Sequence, residues 1–224
     1  MAGFNYANLV TDIRNYTEVD ANVLTAAIIN RFIEDAEFKI FYDVPIDAYR
    51  YVSEGSLVTD DNTINAPGKG TQGATGAVFI RGVEVFNSTS ATTGQGVWLE
   101  KKDQTYLSEY VGRLTGTEGD LTNQDTTGLP KYYAMFGGAT GTTSTTSGGM
   151  YIAPTPDQNY KFRIYYTMMP KSLVTETSGT YISQYFPSGL LYACLVEAYG
   201  FLKGPADMLT LYENKYKQEV QKFA

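Results

Sequence analysis

Residues 150–170 read Met150-Tyr-Ile-Ala-Pro-Thr-Pro-Asp-Gln-Asn-Tyr-Lys-Phe-Arg-Ile-Tyr-Tyr-Thr-Met-Met-Pro170, two strands around a turn. Tyr151 and Ile152 end the first strand, and Pro154, Pro156 and Asp157 supply fixed φ angles and a side-chain acceptor for the bend. From Tyr160 to Met168 the β-formers Tyr, Phe, Ile and Thr dominate. Phe162 and Ile164 fall on one face and Lys161 and Arg163 on the other, which predicts a sheet with one buried and one wet face. Upstream the chain is turn-rich and strand-like, and downstream it is helical, so the stretch closes a β-region and hands over to C-terminal helices.

Working outward, Tyr6, Leu9, Val10 and Ile13 are spaced for a short helix over about 5–15. A second helix is expected from about Ala21 to Tyr42, with Leu24, Ala27, Ile28, Phe32, Ile33, Ala36, Ile40 and Phe41 forming one apolar stripe that Pro45 ends. Its other face carries Arg31, Glu34, Asp35, Glu37 and Lys39, read as solvated or subunit-facing. Residues 46–75 are turn-dense and expected to be irregular. A strand is expected from Ala77 to Phe86, with Val97–Glu100 as its partner, then a short helix near Tyr106–Leu114, a loop over 115–129 and a strand over Pro130–Phe136. Residues 137–149 hold only Gly, Ala, Thr, Ser and so read as a tip that is mobile or orders against a neighbour. Thr175–Thr180 makes a polar joint. Tyr185-Phe186-Pro187 opens a third helix with a Leu190, Leu191, Cys194, Leu195, Ala198, Phe201, Leu202 stripe, and Gly204-Pro205 separates it from a last helix. The expected class is α+β: a helical bundle from N- and C-terminal helices (1–48 and 181–224) with an inserted antiparallel β-rich domain (49–180).

Composition removes several function classes. The chain has 224 residues and no histidine, which excludes Ser-His-Asp and Cys-His catalysis and most catalytic zinc sites. Its single cysteine excludes an internal disulfide. The net charge of −7 is spread as −4 over residues 1–50, −3 over 51–180 and zero over 181–224, with no basic stripe to neutralise phosphates. An acidic wall instead suits a passage that must not grip DNA. No apolar run reaches the ~20 residues of a membrane span, and Met1-Ala-Gly-Phe-Asn lacks the basic start of a secretory signal, so folding in a cytoplasm is expected. The 19 Tyr and 11 Phe suit interfaces or half-wet sheet faces equally.

Each candidate site has a plain competitor. Gly68-Lys-Gly-Thr-Gln-Gly73 spells a dinucleotide fingerprint but lacks the preceding strand and following helix, so it reads as a flexible loop. Glu118, Asp120, Asn123 and Asp125 cluster oxygens as a hard cation requires, without the helix-loop-helix spacing, and a solvated loop is favoured. Glu34 and Glu37 share a helix face, with nothing apolar in view to raise a pKa. Cys194 lies in an apolar stripe and reads as a packed small hydrophobe. Asn87-Ser-Thr89 spells a glycosylation acceptor without a secretory context. No catalytic, cofactor or metal residue is nominated.

Four features carry a family resemblance: Gly128-Leu-Pro-Lys-Tyr-Tyr133, Tyr151-Ile-Ala-Pro-Thr-Pro-Asp157, Tyr160-Lys-Phe-Arg-Ile-Tyr-Tyr166 followed by Pro170 and Leu173, and the Leu190-Leu-Tyr-Ala-Cys-Leu-Val-Glu-Ala-Tyr199 helix with another after it. With these the chain resembles the head-to-tail adaptor (connector, or head-completion) proteins of tailed bacteriophages. The helix ending near Phe41-Tyr42 fits the same layout, whereas 53–76 and 137–149 have no counterpart. The resemblance implies a non-enzymatic virion protein of the neck that needs no cofactor. It further implies a homo-oligomeric ring, a dodecamer, docked beneath the portal protein and above a tail or nozzle protein, with DNA passing through unbound. On that analogy Glu34, Asp35 and Glu37 are candidates for the lumen or a subunit interface. Lys215, Lys217, Lys222 and Phe223 are candidates for portal contact. The competing readings are another neck, tail or capsid-decorating protein, or a carbohydrate- or peptide-binding β module with Tyr-rich sheet faces.

Overall fold

Short polar side chains and prolines set the helix ends. Asn5 Oδ1 accepts the N–H of Asn8 at 2.8 Å and starts α1 (Tyr6–Thr17), which stops where Glu18 turns left-handed at φ 54° and its N–H returns to the Arg14 carbonyl. α2 (Ala26–Asp43) begins later than the apolar stripe suggests. Residues before it form a turn in which the Leu24 N–H bonds the Asp20 carbonyl at 3.0 Å, so Leu24 is buried without being helical. Thr180 and Ser183 form a reciprocal capping box that starts α4 (Tyr181–Tyr185), a helix the sequence reading missed. α5 (Pro187–Phe201) has proline in its first turn, and Gly204-Pro205 separates it from α6 (Ala206–Phe223).

The computed structural model describes residues 3–67, 76–90, 95–110, 127–136 and 149–223. Among these the chain is mixed α+β, with six α-helices and two four-stranded, antiparallel-rich sheets. It divides into two compact units, one of Met1–Ala48 with Pro170–Ala224 and one of Tyr49–Met169.

In the first unit α5 is apolar all round, burying Leu190, Leu191, Ala193, Cys194, Leu195, Val196 and Ala198. It packs against α1, α2, α4 and α6. The N-terminal segment is tied in by backbone bonds from Phe4 N–H to the Ser183 carbonyl at 2.9 Å and from Tyr6 N–H to the Thr177 carbonyl at 3.0 Å. The Cys194 thiol lies 3.8 Å from the Phe32 carbonyl, and burial raises its pKa well above the ordinary thiol value, which leaves it inert.

The second unit holds β1 (Arg50–Ser56), β2 (Thr63–Asn65), β3 (Ala77–Phe86), β4 (Gly96–Trp98), β5 (Glu100–Lys101), α3 (Gln104–Tyr110), β6 (Tyr132–Phe136), β7 (Gly149–Ala153) and β8 (Lys161–Met168). One sheet runs β1-β8-β3-β4, antiparallel throughout. The other runs β2-β7-β6-β5, with β5 parallel to β6. The two strands of 150–170 therefore part company, since β7 lies in one sheet and β8 in the other. Asp157 serves the bend as expected, accepting the Tyr160 hydroxyl at 2.7 Å. Leu57, Ile64, Val83, Val85, Leu99, Tyr133, Met150, Ile152, Tyr160 and Ile164 form one core shared by both sheets. On the other side of β7, Tyr151 and Ala153 pack with Ala134 and Leu107 of α3, so all five residues of β7 are buried.

Two expectations fail here. The supposedly irregular 46–75 contains β1 and β2, because β1 is held by a seven-residue ladder with β8 rather than by its own weakly alternating sequence. Val97–Glu100 is not one partner strand: β4 pairs with β3, Leu99 is buried, and Glu100–Lys101 joins the second sheet. The 68–73 glycines, the 118–125 oxygen cluster and 137–148 lie outside the described residues.

Glu37 corrects a further reading. It was placed on a solvated face with Glu34 and Asp35, but it is 4% exposed. Its carboxylate accepts the Leu173 N–H at 3.0 and 3.1 Å and the Thr180 hydroxyl at 3.3 Å. Burial raises its pKa from the ordinary 4.5 to about 7, against the lowering effect of bonds from Ser172, Leu173 and Thr180, while the Glu34 charge pushes it further up.

Two predictions follow from this packing. The folded-state value of Glu37 lies above its unfolded value, so the stability it contributes is fully present below about pH 4.5 and is lost as pH rises through about 7. The loss amounts to about 3 kcal/mol. Glu37→Gln should flatten that slope and exceed the parent's stability above neutral pH in urea melts, and a variant that tracks the parent at every pH would disprove the assignment. Ile164→Ala, at a site 1% exposed in the two-sheet core, should lower unfolding stability by roughly 2–5 kcal/mol, and a loss below 1 kcal/mol would show that the core can collapse around the gap.

Candidate functional site

The residues nominated from sequence lie on two helices of the first unit. On α2 the buried stripe is Ile29, Phe32, Ile33, Ala36, Glu37, Ile40 and Phe41. The opposite face exposes Arg31, Glu34, Asp35, Phe38 and Tyr42. Glu34 and Asp35 thus stay on the surface while Glu37 points inward. Phe38 and Tyr42 were missed, although their position out of phase with the stripe was visible in the spacing. Their rings stack, with centroids 6.4 Å apart and planes 20° apart.

On α6 the four residues nominated for portal contact have different surroundings. The Lys215 ammonium lies over two rings, 5.4 Å from Tyr192 and 5.6 Å from Tyr212. Phe223 stacks on Phe186 at 4.6 Å and so belongs to the packing of its own unit. Lys217 and Lys222 are exposed, and Lys222 pairs with Glu219 at 2.5 Å. Five residues apart, they project about 140° from each other around the helix. The same helix is pinned to α2 by the Tyr216 hydroxyl, which donates to Asp43 at 2.7 Å, and by Lys39 over the Tyr216 ring at 4.9 Å. Burial and the Asp43 charge drive the Tyr216 pKa upward, so the phenol stays a donor.

The outer face of the β1-β8-β3-β4 sheet carries the aromatic surface behind the binding-module reading. Trp98 is 57% exposed and lies over Gly82, where a Cβ would come within 2.8 Å of the indole. Its ring is 4.9 Å from Tyr165, whose hydroxyl donates to Glu84 at 2.9 Å. Arg163 donates to Glu54 at 2.6 Å alongside. These groups are engaged with one another, and the arrangement presents a ring face without an activated nucleophile or base.

Among the described residues no group of three or more His, Cys, Asp or Glu side chains is placed to hold a metal ion, and no helix is long and apolar enough to cross a membrane. No curated protein matches the chain. The family model described as SU10 adaptor protein matches residues 4–223. Matched over nearly its whole length, this chain belongs to the SU10 adaptor protein family, a family of phage head-to-tail adaptors, and is by that membership a structural component of the virion neck.

Proposed function

We propose that copies of this chain close a dodecameric ring beneath the portal protein, and that its bore carries the DNA channel on toward a tail or nozzle protein. The family match across residues 4–223 carries this reading. Charge supports it: the chain bears −7 overall and its first fifty residues bear −4, so a bore lined by it repels the phosphate backbone rather than gripping it. In this reading the helices of 1–48 and 181–224 form a bundle that carries the β-rich domain of 49–180, and the mechanism is geometric, with one chain face meeting a different face of the next.

The end of α6 is the proposed portal contact, with Lys222 as its outward cation. Lys215 and Phe223 support that end from within their unit, and Lys217 faces another direction. The exposed Trp98–Tyr165 surface favours a second reading, a module that docks a sugar or an extended peptide, and glycan and peptide screening of the purified chain separates it from the first.

Mixing the chain with portal rings tests the leading reading: a complex of one portal ring with one adaptor ring is expected. Lys222→Glu should weaken that complex by about fivefold, with the deficit shrinking at high salt. Unchanged affinity would overturn the role of Lys222, and absence of any complex would overturn the portal assignment.

A further inference from the structure

Glu37 holds more than its own place on α2. Residues 170–180, which lead from β8 to α4, fold back on themselves as a self-bonded turn. The Thr175 and Glu176 N–H groups both donate to the Ser172 carbonyl, at 3.0 and 2.9 Å, the Gly179 N–H donates to the Glu176 carbonyl at 3.0 Å, and Lys171 pairs with Glu176 at 2.8 Å. The turn is fastened to α2 through Glu37. Leu173, fully buried, donates its N–H to both Glu37 oxygens, and the Thr180 hydroxyl donates to the same carboxylate.

Thr180 is shared. Its hydroxyl also accepts the Ser183 N–H at 3.2 Å, half of the capping box that starts α4, and the Ser183 carbonyl receives the Phe4 N–H. The Thr177 carbonyl of the turn receives the Tyr6 N–H, and the Gln184 amide donates to the Phe4 carbonyl at 3.2 Å. A line of hydrogen bonds thus runs from Glu37 through the turn and α4 to the N-terminal arm of residues 3–6. A helix of five residues cannot stand without its cap, so departure of the turn also removes both backbone acceptors of the arm.

No ion pair reaches Glu37 among the described residues. Burial disfavours its charge most, and Glu34 on the same helix repels it. On the turn, Lys171 is taken up by Glu176, and toward α6 both Lys39 and Asp43 are engaged with Tyr216. From α5 the neighbour is the Cys194 thiol, kept neutral by its own burial and then by the Glu37 charge, with Glu197 adding to the same effect. α4 brings only the Tyr181, Ser183, Gln184 and Tyr185 side chains besides its apolar Ile182. A buried carboxylate that ionises without a cation beside it is relieved by opening to water. We infer that Glu37 is the latch of one opening unit: when it takes on charge, residues 172–180, α4 and the N-terminal arm come away together while α5 stays packed.

An exposed Glu37 titrates near 4.5 and the buried one at about 7, so opening becomes easier as pH rises across that interval and levels off above it. Hydrogen exchange of the full chain, followed amide by amide and corrected for the intrinsic rate, tests the latch. The Phe4, Tyr6 and Leu173 amides should share one protection factor, well below that of Leu195 in α5. That shared factor should fall at least about tenfold between about pH 5.5 and pH 8. In Glu37→Gln the three amides should keep a common value that no longer varies with pH. Three values that differ, or that equal the Leu195 value, would overturn the single opening unit. A common value that ignores pH in the parent chain, or that still falls in Glu37→Gln, would overturn the role of the Glu37 charge. The parent chain alone supplies the decisive readings, so a variant that fails to fold leaves the test intact.

Discussion

An apolar helix cannot stand in water, and the burial of α5 is the constraint on which the first unit depends. With Leu190, Leu191, Cys194, Leu195, Val196 and Ala198 all buried, it needs cover along most of its length, and only its last turn, at Gly200 and Phe201, is exposed. Cover comes from α1 and α2, near the start of the chain, and from α4 and α6, near its end. Each covering helix keeps a polar or aromatic outer face, so the same packing that hides α5 decides which side chains remain for partners. Tyr216 of α6, buried yet bonded to Asp43 of α2, shows how the covering helices are also fixed to one another.

The second unit solves a similar problem with a strand. β7 is covered on one side by the facing sheet and on the other by α3. Its neighbour in sequence, β8, is an interior strand of the opposite sheet, paired with β1 on one side and β3 on the other. The bend between them, held by Asp157 and Tyr160, moves the chain from one sheet to the other and joins the two halves of a single core. From β8 the chain passes to Leu173, whose N–H is received by the Glu37 carboxylate on α2.

Much of this was legible in sequence, for identifiable reasons. α1, α5, α6 and β3 carry strong local signals: a capping Asn5, a proline at the first position of α5, a Gly-Pro break and a strand rich in Val, Ile and Phe. What escaped depends on residues far apart. β1 is polar and forms because β8 lies beside it, and β7 and β8 look like hairpin partners until the rest of both sheets is in place. Glu37 lies four residues after Ile33 and four before Phe41, in phase with the buried stripe, a signal that its charge overrode in the sequence reading, and the bonds it accepts from Leu173 and Thr180 show what holds it there. Of the portal candidates, Lys217 and Lys222 lie on the surface, whereas Lys215 and Phe223 are engaged with aromatic rings that no local pattern reveals. The Phe38–Tyr42 pair was visible as a phase error in the α2 stripe, which a reading centred on the buried face passes over.

The most direct measurement is a density map of the isolated neck, resolved well enough to trace helices. The account predicts a closed ring of this chain against the portal, with residues 1–48 packed on 181–224 in each copy. An open or absent ring, or a map in which α1 and α2 leave α5 uncovered, would contradict it.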